Sequence, residues 1–345
     1  MLSPMFSILL IPFLAAMFLA INMGGSGTAP SFSAAYGSNI IRKDLIPGLF
    51  GLFVFFGAIL AGKKVVLTVG KGILPGEMIG LTLTTIILLS VGLSLLLANL
   101  LKIPQSTSQA TISALIGPAV YFNVLKTHKL FFEILPTWFI LPIVSFIITL
   151  FIGKFIYNPM KHRKIIKFKE ISTHPILKIA VILTSCYVAF AIGSNNVANA
   201  AGPIASMISN ELNIIVQGDK FVLIMILSTL IIAPCFAIGS SLFGGKLVET
   251  TGKEIINIGP LGACLIAGVT ATLLLLASVT RGIPTSLVQM NTMAIIGLGI
   301  SKVGWKEMFT HTTVKKLLII WIIAPVLALF LSFSLTVLAD KVGLL

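Results

Sequence analysis

The stretch I-P-Q-S-T-S-Q at residues 103–109 recurs as I-P-T-S-L-V-Q at residues 283–289, an offset of 180 residues. A second pair keeps the same order, because A-I-N-M-G-G-S-G-T-A at residues 20–29 corresponds to A-I-G-S-N-N-V-A-N-A at residues 191–200. Small and polar residues that interrupt apolar segments at matching places in two halves are typical of the binding site of a membrane transporter. The repeat therefore predicts an internal duplication around such a site.

The composition around these motifs is that of a membrane protein. Of 345 residues 57% are hydrophobic and 10% charged, and the mean hydropathy is +1.08. A single soluble core could not bury so much apolar surface. Uncharged runs that reach the ~20 residues needed to span a bilayer occur repeatedly. We therefore predict an all-α polytopic fold, and the clearest apolar runs are 79–101, 134–153, 221–243 and 317–339.

The position of the positive charge matters more than its sum. A net charge of +14 would suggest nucleic acid as a partner of a soluble protein, but here basic residues concentrate between residues 154 and 178. Because cytoplasmic loops of membrane proteins are rich in Lys and Arg, this segment is predicted to be cytoplasmic. It divides the chain into a first transmembrane repeat (1–157), a basic linker (158–175) and a second repeat (176–345). No nucleic acid partner is expected.

Corresponding loops of the two repeats carry different charges. Arg42 and Lys43 follow the opening segment of the first repeat, whereas Lys220 in the second repeat is offset by nearby acids. The same loop is thus predicted to lie inside in one repeat and outside in the other. We therefore predict two inverted-topology repeats of about five crossings each, in the cell membrane, with both termini outside.

The opening segments of both repeats are predicted to contain broken or re-entrant helices. Met1–Ile41 and Ile179–Asn210 lack charges, exceed one ordinary span, and carry clusters of Gly, Ser and Asn in the middle. Unwound backbone at membrane depth is tolerated only where it is buried in protein or lines a wet cavity. An alternative reading makes the asparagines interhelical hydrogen-bonding groups without a ligand.

Each I-P-x-S-x-x-Q segment is predicted to begin a helix, with its proline in the first turn. A helix N-terminus offers N–H groups without partners and the positive end of the helix dipole. The neighbouring hydroxyl groups add further donors. Two such segments would bind an anion without any full positive charge.

The motifs resemble those of a known family. G-S-N-N-V-A-N-A at residues 193–200 resembles the G-A-N-D-V-A-N-A signature of the inorganic phosphate transporter (PiT) family, and residues 103–109 are similar to its P-x-S-T-T-H segment. The resemblance covers nearly the whole chain. It implies a secondary transporter of a tetrahedral oxyanion, usually coupled to cations and often a homodimer, in which the paired motifs enclose the substrate.

The departures from the phosphate pattern all point in one direction. Asn196 and Gly25 stand where the signature has aspartate, and Gln109 and Gln289 follow the hydroxyl groups where the pattern has histidine. These features resemble the bacterial sulfate permeases, a branch of the same family. Monohydrogen phosphate carries an O–H that needs an acceptor, whereas sulfate only accepts. A site made of donors therefore favours sulfate, by about ten- to hundred-fold.

The predicted site consists of polar residues from all four motif copies. The predicted substrate ligands are Ser26, Thr28, Ser106, Thr107, Ser108, Gln109, Ser194, Asn195, Asn196, Asn199, Thr285, Ser286 and Gln289. Import of a dianion against the membrane potential requires cotransported cations. Either Na⁺ or H⁺ is the expected coupling ion, and the candidate ion ligands are Asn22, Asn195 and Asn199.

Other functions explain the sequence less well. A phosphate symporter of the same family is the main alternative, and a passive anion channel would conduct without accumulating substrate. An intramembrane enzyme would need catalytic groups, but the sequence has no H-E-x-x-H motif, nucleophile elbow or paired carboxylates at membrane depth. We therefore predict no catalytic residues, no metal site and no cofactor, and a sulfate symporter in the lipid bilayer.

Overall fold

The fold is described from a computed structural model over residues 4–101, 105–159, 174–213, 219–245, 248, 259–310 and 312–345. Pro104 and the linker residues 160–173 lie outside this part of the chain. The described secondary structure is helical throughout.

The first repeat consists of long apolar helices and one short amphipathic helix, α3. The long helix α6 continues at both ends into π-helical turns, Lys129–Ile134 and Gly153–Tyr157. The helices are α1 (Pro4–Gly37), α2 (Ile46–Ala61), α3 (Lys63–Lys71), α4 (Leu81–Leu100), α5 (Thr107–Tyr121) and α6 (Leu135–Ile152).

The second repeat follows the same order of long helices. A π-helical turn, Ala277–Arg281, extends α10, as Ser240–Gly244 extends α9. The helices are α7 (Pro175–Asn196), α8 (Ala198–Glu211), α9 (Asp219–Gly239), α10 (Gly259–Leu276), α11 (Leu287–Val303), α12 (Trp305–Thr310) and α13 (Thr312–Lys341).

The two repeats pack through exchanged pairs of helices. Helix α1 packs on α9 while α2 packs on α7, and α5 packs on α13 while α6 packs on α11. In each set of two pairs, the helix that the first repeat gives to one pair corresponds to the helix that the second repeat gives to the other pair. This exchange is expected of two halves related by a pseudo-two-fold axis, and it builds one continuous core from both repeats.

Glycines allow the exchanged helices to approach closely. A Cβ on Gly239 of α9 would lie 1.8 Å from the Ile21 carbonyl oxygen of α1, and a Cβ on Gly24 would lie 2.2 Å from that of Phe236. The α2–α7 pair has the same arrangement at Gly57 and Gly193, at 1.9 Å and 2.0 Å from carbonyl oxygens. Small residues at such interfaces let helix backbones pack in lipid, where there is little hydrophobic driving force.

Helices α5 and α11 end at opposite ends of the bundle. At the end of α5, the Tyr121 hydroxyl donates to Asp340 near the C-terminus of the chain, over 2.7 Å. At the end of α11, the amide of Asn158 donates to the Ser301 carbonyl, next to the start of the linker. We call these the terminal end and the linker end. The N-termini of both helices therefore enter the middle of the bundle from opposite directions.

The helix breaks do not lie where the sequence predicted them. Helix α1 is continuous, so the predicted break in Met1–Ile41 is wrong. The hydroxyl groups of Ser26, Thr28 and Ser31 bond back to carbonyls three or four residues earlier and keep the G-G-S-G-T segment helical. In Ile179–Asn210 the interruption is a single turn at Val197, whose backbone stays helical.

The true breaks are the loops that precede α5 and α11. In the second of these, residues 282–286 have no regular secondary structure, and Gly282 has a positive φ of 64° that terminates the preceding helix. Pro284 was predicted in the first turn of α11, and this position is wrong, because the helix begins three residues later at Leu287. Helix α5, 15 residues and about 22 Å long, covers only part of a bilayer of about 30 Å.

Seven helical stretches of the described residues are long and apolar enough to cross a membrane. Their exposed side chains are largely apolar, as expected for a surface that faces lipid. Together with the exchanged repeats, they confirm the predicted class, an all-α polytopic membrane protein with broken helices.

Candidate functional site

The serines of the two I-P-x-S segments are helix caps. The Ser106 hydroxyl accepts from the Gln109 N–H at 3.3 Å, and the Ser286 hydroxyl accepts from the Gln289 N–H at 3.2 Å. A serine with extended backbone that accepts from the third helical residue is the preferred N-cap. Because the cap uses only the hydroxyl oxygen, each O–H remains able to donate to a ligand.

The two glutamines bond to each other across the middle of the bundle. Gln109 Nε2 donates to Gln289 Oε1 at 3.0 Å, and Gln289 Nε2 donates to Gln109 Oε1, also at 3.0 Å. Both side chains are buried. Such a reciprocal pair is the arrangement expected for equivalent residues beside a pseudo-two-fold axis. The repeated motif predicted that both glutamines would lie near such an axis. Their amides are therefore directed at each other and not at the pocket.

Asn195 holds the parts of the site together. Its Oδ1 accepts from the Ser108 hydroxyl and the Thr285 N–H, each at 3.1 Å. Its Nδ2 donates to Ser278 Oγ at 2.9 Å and to the Ile283 carbonyl at 3.1 Å. These bonds use the full capacity of the amide. Asn195 was predicted to bind substrate and a cation, but in this structure it serves as a scaffold instead.

A small pocket lies where the two helix N-termini converge. Its polar wall contains six of the predicted substrate ligands, namely Ser26, Ser106, Thr107, Asn196, Thr285 and Ser286. The remaining wall is apolar or backbone, apart from Gln105, and consists of Gly27, Pro30, Ile192, Leu287 and Val288. The pocket is thus lined by residues of all four motif copies.

The other predicted substrate ligands lie outside the pocket wall. Thr28 and Ser194 bond to backbone carbonyls of their own helices. Ser108 accepts from Asn199 Nδ2 at 3.3 Å and donates to Asn195. Together with Gln109 and Gln289, these residues form a buried polar layer that supports the pocket.

The three candidate ion ligands differ in whether their side-chain oxygen already accepts a hydrogen bond. The Asn22 side-chain oxygen accepts from Asn99 at 3.1 Å, and that of Asn195 is fully bonded. Asn199 Oδ1 is buried and has no hydrogen-bond partner among the described residues. Only Asn199 therefore offers an unused side-chain oxygen, and one neutral oxygen alone does not make a cation site.

Gln105 lines the pocket although the sequence did not single it out. Its Nε2 donates to Ser94 Oγ of α4 at 2.9 Å, and its buried Oε1 lacks a partner in the described part of the chain. The corresponding residue of the second copy is Thr285, so the repeat gave no signal for an amide here. Gln105 could have been included among the predicted substrate ligands simply because it is a polar residue within a repeated motif.

The pocket wall is electrically neutral as far as the structure describes it. None of the described residues that line it is ionisable. What it offers an anion is hydroxyl groups, amides and the first N–H groups of α5 and α11, which have no acceptor within their own helices. Two further polar atoms of the wall, Asn196 Oδ1 and Thr285 Oγ1, are buried without a partner among the described residues. Buried polar atoms without protein partners are usually satisfied by water or by a ligand.

Comparison with known proteins places the chain among anion transporters. The sequence profile of the Phosphate transporter family matches residues 23–332. The sulfate permease CysP of Bacillus subtilis (strain 168) is 35% identical over 322 residues, which are 93% of this chain and 85% of the relative. A protein of Thermococcus kodakarensis with the provisional name of phosphate permease is 25% identical over 407 residues, 96% of this chain and 97% of the relative.

One solved structure has the same fold. It is described as the sodium-dependent phosphate transporter, and it superimposes with a TM-score of 0.80 at 22% sequence identity. The match covers 97% of this chain and all of that one. The architecture of exchanged helix pairs is therefore shared with a known transporter structure.

Proposed function

We propose that this chain is a secondary active transporter, which imports sulfate together with a coupling cation. The chain belongs to the Phosphate transporter family. The family membership confirms the resemblance seen in the motifs and the prediction that the chain is not an enzyme. The observation that carries the proposal is the convergence of two serine-capped helix N-termini on one neutral pocket. An anion there meets hydroxyl and N–H donors from both repeats at once.

Sulfate is favoured over phosphate by the absence of a carboxylate in the pocket wall. At Gly25 a side chain would meet Phe243, since a Cβ would lie 2.7 Å from the Phe243 Cβ. The first motif therefore has no room for the aspartate of the phosphate pattern in this conformation. Gln105 and Asn196 are amides that can turn to present Nδ2 or Nε2 to an anion.

The phosphate symporter of the same family remains the alternative. It is favoured by Gln105 Oε1 and Asn196 Oδ1, which as placed are acceptors for the O–H of monohydrogen phosphate. The test is uptake of labelled sulfate and of labelled phosphate into proteoliposomes, under separate sodium and proton gradients. We expect accumulation of sulfate that one of the two gradients drives. Equilibration of sulfate without accumulation, whichever gradient is applied, would instead indicate a passive anion channel.

The orientation is part of the proposal. With the basic linker in the cytoplasm, the linker end of this cell-membrane protein faces inward and both chain termini face outward. Arg42 and Lys43, which follow α1, would then lie inside, as the charge bias of the loops requires. Labelling of single cysteines by a membrane-impermeant reagent in intact cells tests this, with a cysteine at exposed Leu344 expected to react.

Loss of either capping serine should weaken anion binding about ten- to hundred-fold. Ser106→Ala and Ser286→Ala each remove a helix cap, worth ~0.5–2 kcal/mol, and a donor to a charged ligand, worth ~1.5–3 kcal/mol. The sulfate dissociation constant of the purified protein measures the effect. Ser209→Ala is the matched control, because Ser209 is equally buried but bonds only to Ala205 in its own helix. Unchanged affinity in both cap variants would contradict a role in binding.

Asn196→Asp should move the preference of the pocket from sulfate toward phosphate. The change adds a carboxylate acceptor for the phosphate O–H and places a negative charge next to sulfate, which has no proton to share. We expect the ratio of the sulfate and phosphate dissociation constants to change by at least tenfold. In the unaltered protein, selenate and molybdate should compete with sulfate, and phosphate poorly. Equal competition by phosphate would overturn the assignment of sulfate.

A further inference from the structure

The loop before α11 is held from two sides at one peptide group. The carbonyl of Pro284 accepts from the indole Nε1 of Trp138 at 2.8 Å, and the N–H of Thr285 donates to Asn195 Oδ1 at 3.1 Å. The carbonyl and the N–H belong to the same planar peptide. Trp138 in α6 of the first repeat and Asn195 in α7 of the second thus fix its plane.

This peptide directly precedes the pocket residues of the second motif. Thr285 and Ser286 follow it, and both line the pocket. The rest of the loop is bonded as well, since the Ile283 N–H donates to the Ala277 carbonyl at 3.1 Å and the Ile283 carbonyl accepts from Asn195. The Ile283 N–H and carbonyl, the Pro284 carbonyl and the Thr285 N–H therefore all have partners, as non-helical backbone requires in a bilayer.

The sequence contains a counterpart of Trp138 in the other repeat. W-F-I-L-P at residues 138–142 in α6 corresponds to W-I-I-A-P at residues 321–325 in α13. Helix α6 packs on α11 just as α13 packs on α5. The indole Nε1 of Trp321 is nevertheless buried without a hydrogen-bond partner among the described residues. Among the described residues, an indole bond to the loop before the helix is therefore seen in the second half and has no counterpart in the first.

We propose that Trp138 is a positioning residue of the anion site, whose indole N–H fixes the peptide between Pro284 and Thr285 and so orients Thr285 and Ser286 toward the ligand. The role of the oriented residues rests on the proposed function, but the indole clamp itself does not. Trp138 need not touch the ligand. It acts through the loop, and in this conformation Trp321 has no equivalent action.

Trp138→Phe and Trp321→Phe form a matched pair, because each removes one indole N–H from the same position of an equivalent helix. We expect Trp138→Phe to raise the sulfate dissociation constant about tenfold, and Trp321→Phe to change it less than twofold. Replacing Trp138 by 3-benzothienylalanine, which keeps the ring shape but has sulfur in place of the N–H, should reproduce the loss. Equal effects of the two Phe variants, or normal binding with benzothienylalanine, would overturn the proposal.

A second measurement needs no substrate and therefore separates the clamp from the proposed function. Amide hydrogen exchange of residues 282–289 is recorded on the ligand-free proteins. We expect at least tenfold faster exchange in Trp138→Phe and no change in Trp321→Phe. Unchanged exchange in both variants would refute the clamp. If the unaltered protein binds phosphate and not sulfate, the proposed substrate is wrong, and the affinity comparison is then made with phosphate.

Discussion

Gly239→Ala should be among the most damaging single-methyl changes in this chain. The added Cβ would lie 1.8 Å from the Ile21 carbonyl oxygen, which is part of the α1 backbone and cannot move as a side chain can. Helices α1 and α9 must therefore separate, and α1 carries Ser26 of the pocket wall. We expect a loss of about 3 kcal/mol or more in stability, at or above the upper end of the usual cost of overpacking.

The measurement is the thermal unfolding of the purified protein in detergent, together with sulfate uptake. Gly268→Ala is the matched control, because Gly268 lies inside helix α10 and a Cβ there meets nothing within 4 Å. We expect its unfolding temperature to be unchanged or slightly higher, since Ala is a better helix former than Gly by roughly 1 kcal/mol. Equal stability of the two variants would show that the helices do not approach as closely as described.

Asn195→Ala should abolish transport. The change leaves the Thr285 N–H and the Ile283 carbonyl without their amide partner, and removes the contacts to Ser278 and Ser108. A buried polar group without a partner costs ~1–3 kcal/mol. We expect sulfate uptake to fall at least hundredfold and the unfolding temperature to decrease.

Two variants make this prediction specific. Asn195→Asp keeps the acceptor for Ser108 and Thr285 but loses the donor to Ile283, so an intermediate defect is expected. Asn210→Ala also removes two donated bonds, to the carbonyls of Gly76 and Ile79, but at the terminal end and away from the pocket. Its affinity for sulfate should stay normal. Wild-type uptake by Asn195→Ala would contradict the scaffold role.

The sequence predicted the duplicated architecture because duplication leaves a pattern that can be read directly. The repeated I-P-x-S-x-x-Q segments predicted two helix N-termini in the middle of the membrane, and α5 and α11 do begin within these segments, after serine caps that were not predicted. The pairing of Gln109 with Gln289 follows from the same symmetry. Both features depend on residues that recur, and recurrence needs no knowledge of packing.

The misread features depend on packing. The G-G-S-G-T segment of α1 was interpreted as an unwound helix, yet Gly24 is a contact point for α9 and the neighbouring hydroxyls stabilise the helix. Small residues serve both purposes in membranes, and local sequence does not distinguish them. Asn195 and Asn196 are adjacent in sequence, but only Asn196 lines the pocket. Which asparagine meets the ligand depends on the positions of other helices.

The reciprocal bond between Gln109 and Gln289 bears on how such a chain can arise. A side chain beside a two-fold axis meets a copy of itself, so two carboxylates or two lysines there would repel each other. A carboxamide is donor and acceptor at once and pairs with its own image without charge. Two identical half-length chains could therefore have assembled around this contact before fusion. After fusion the halves were free to diverge, as I-P-Q-S-T-S-Q and I-P-T-S-L-V-Q have, while the residue at the axis stayed the same.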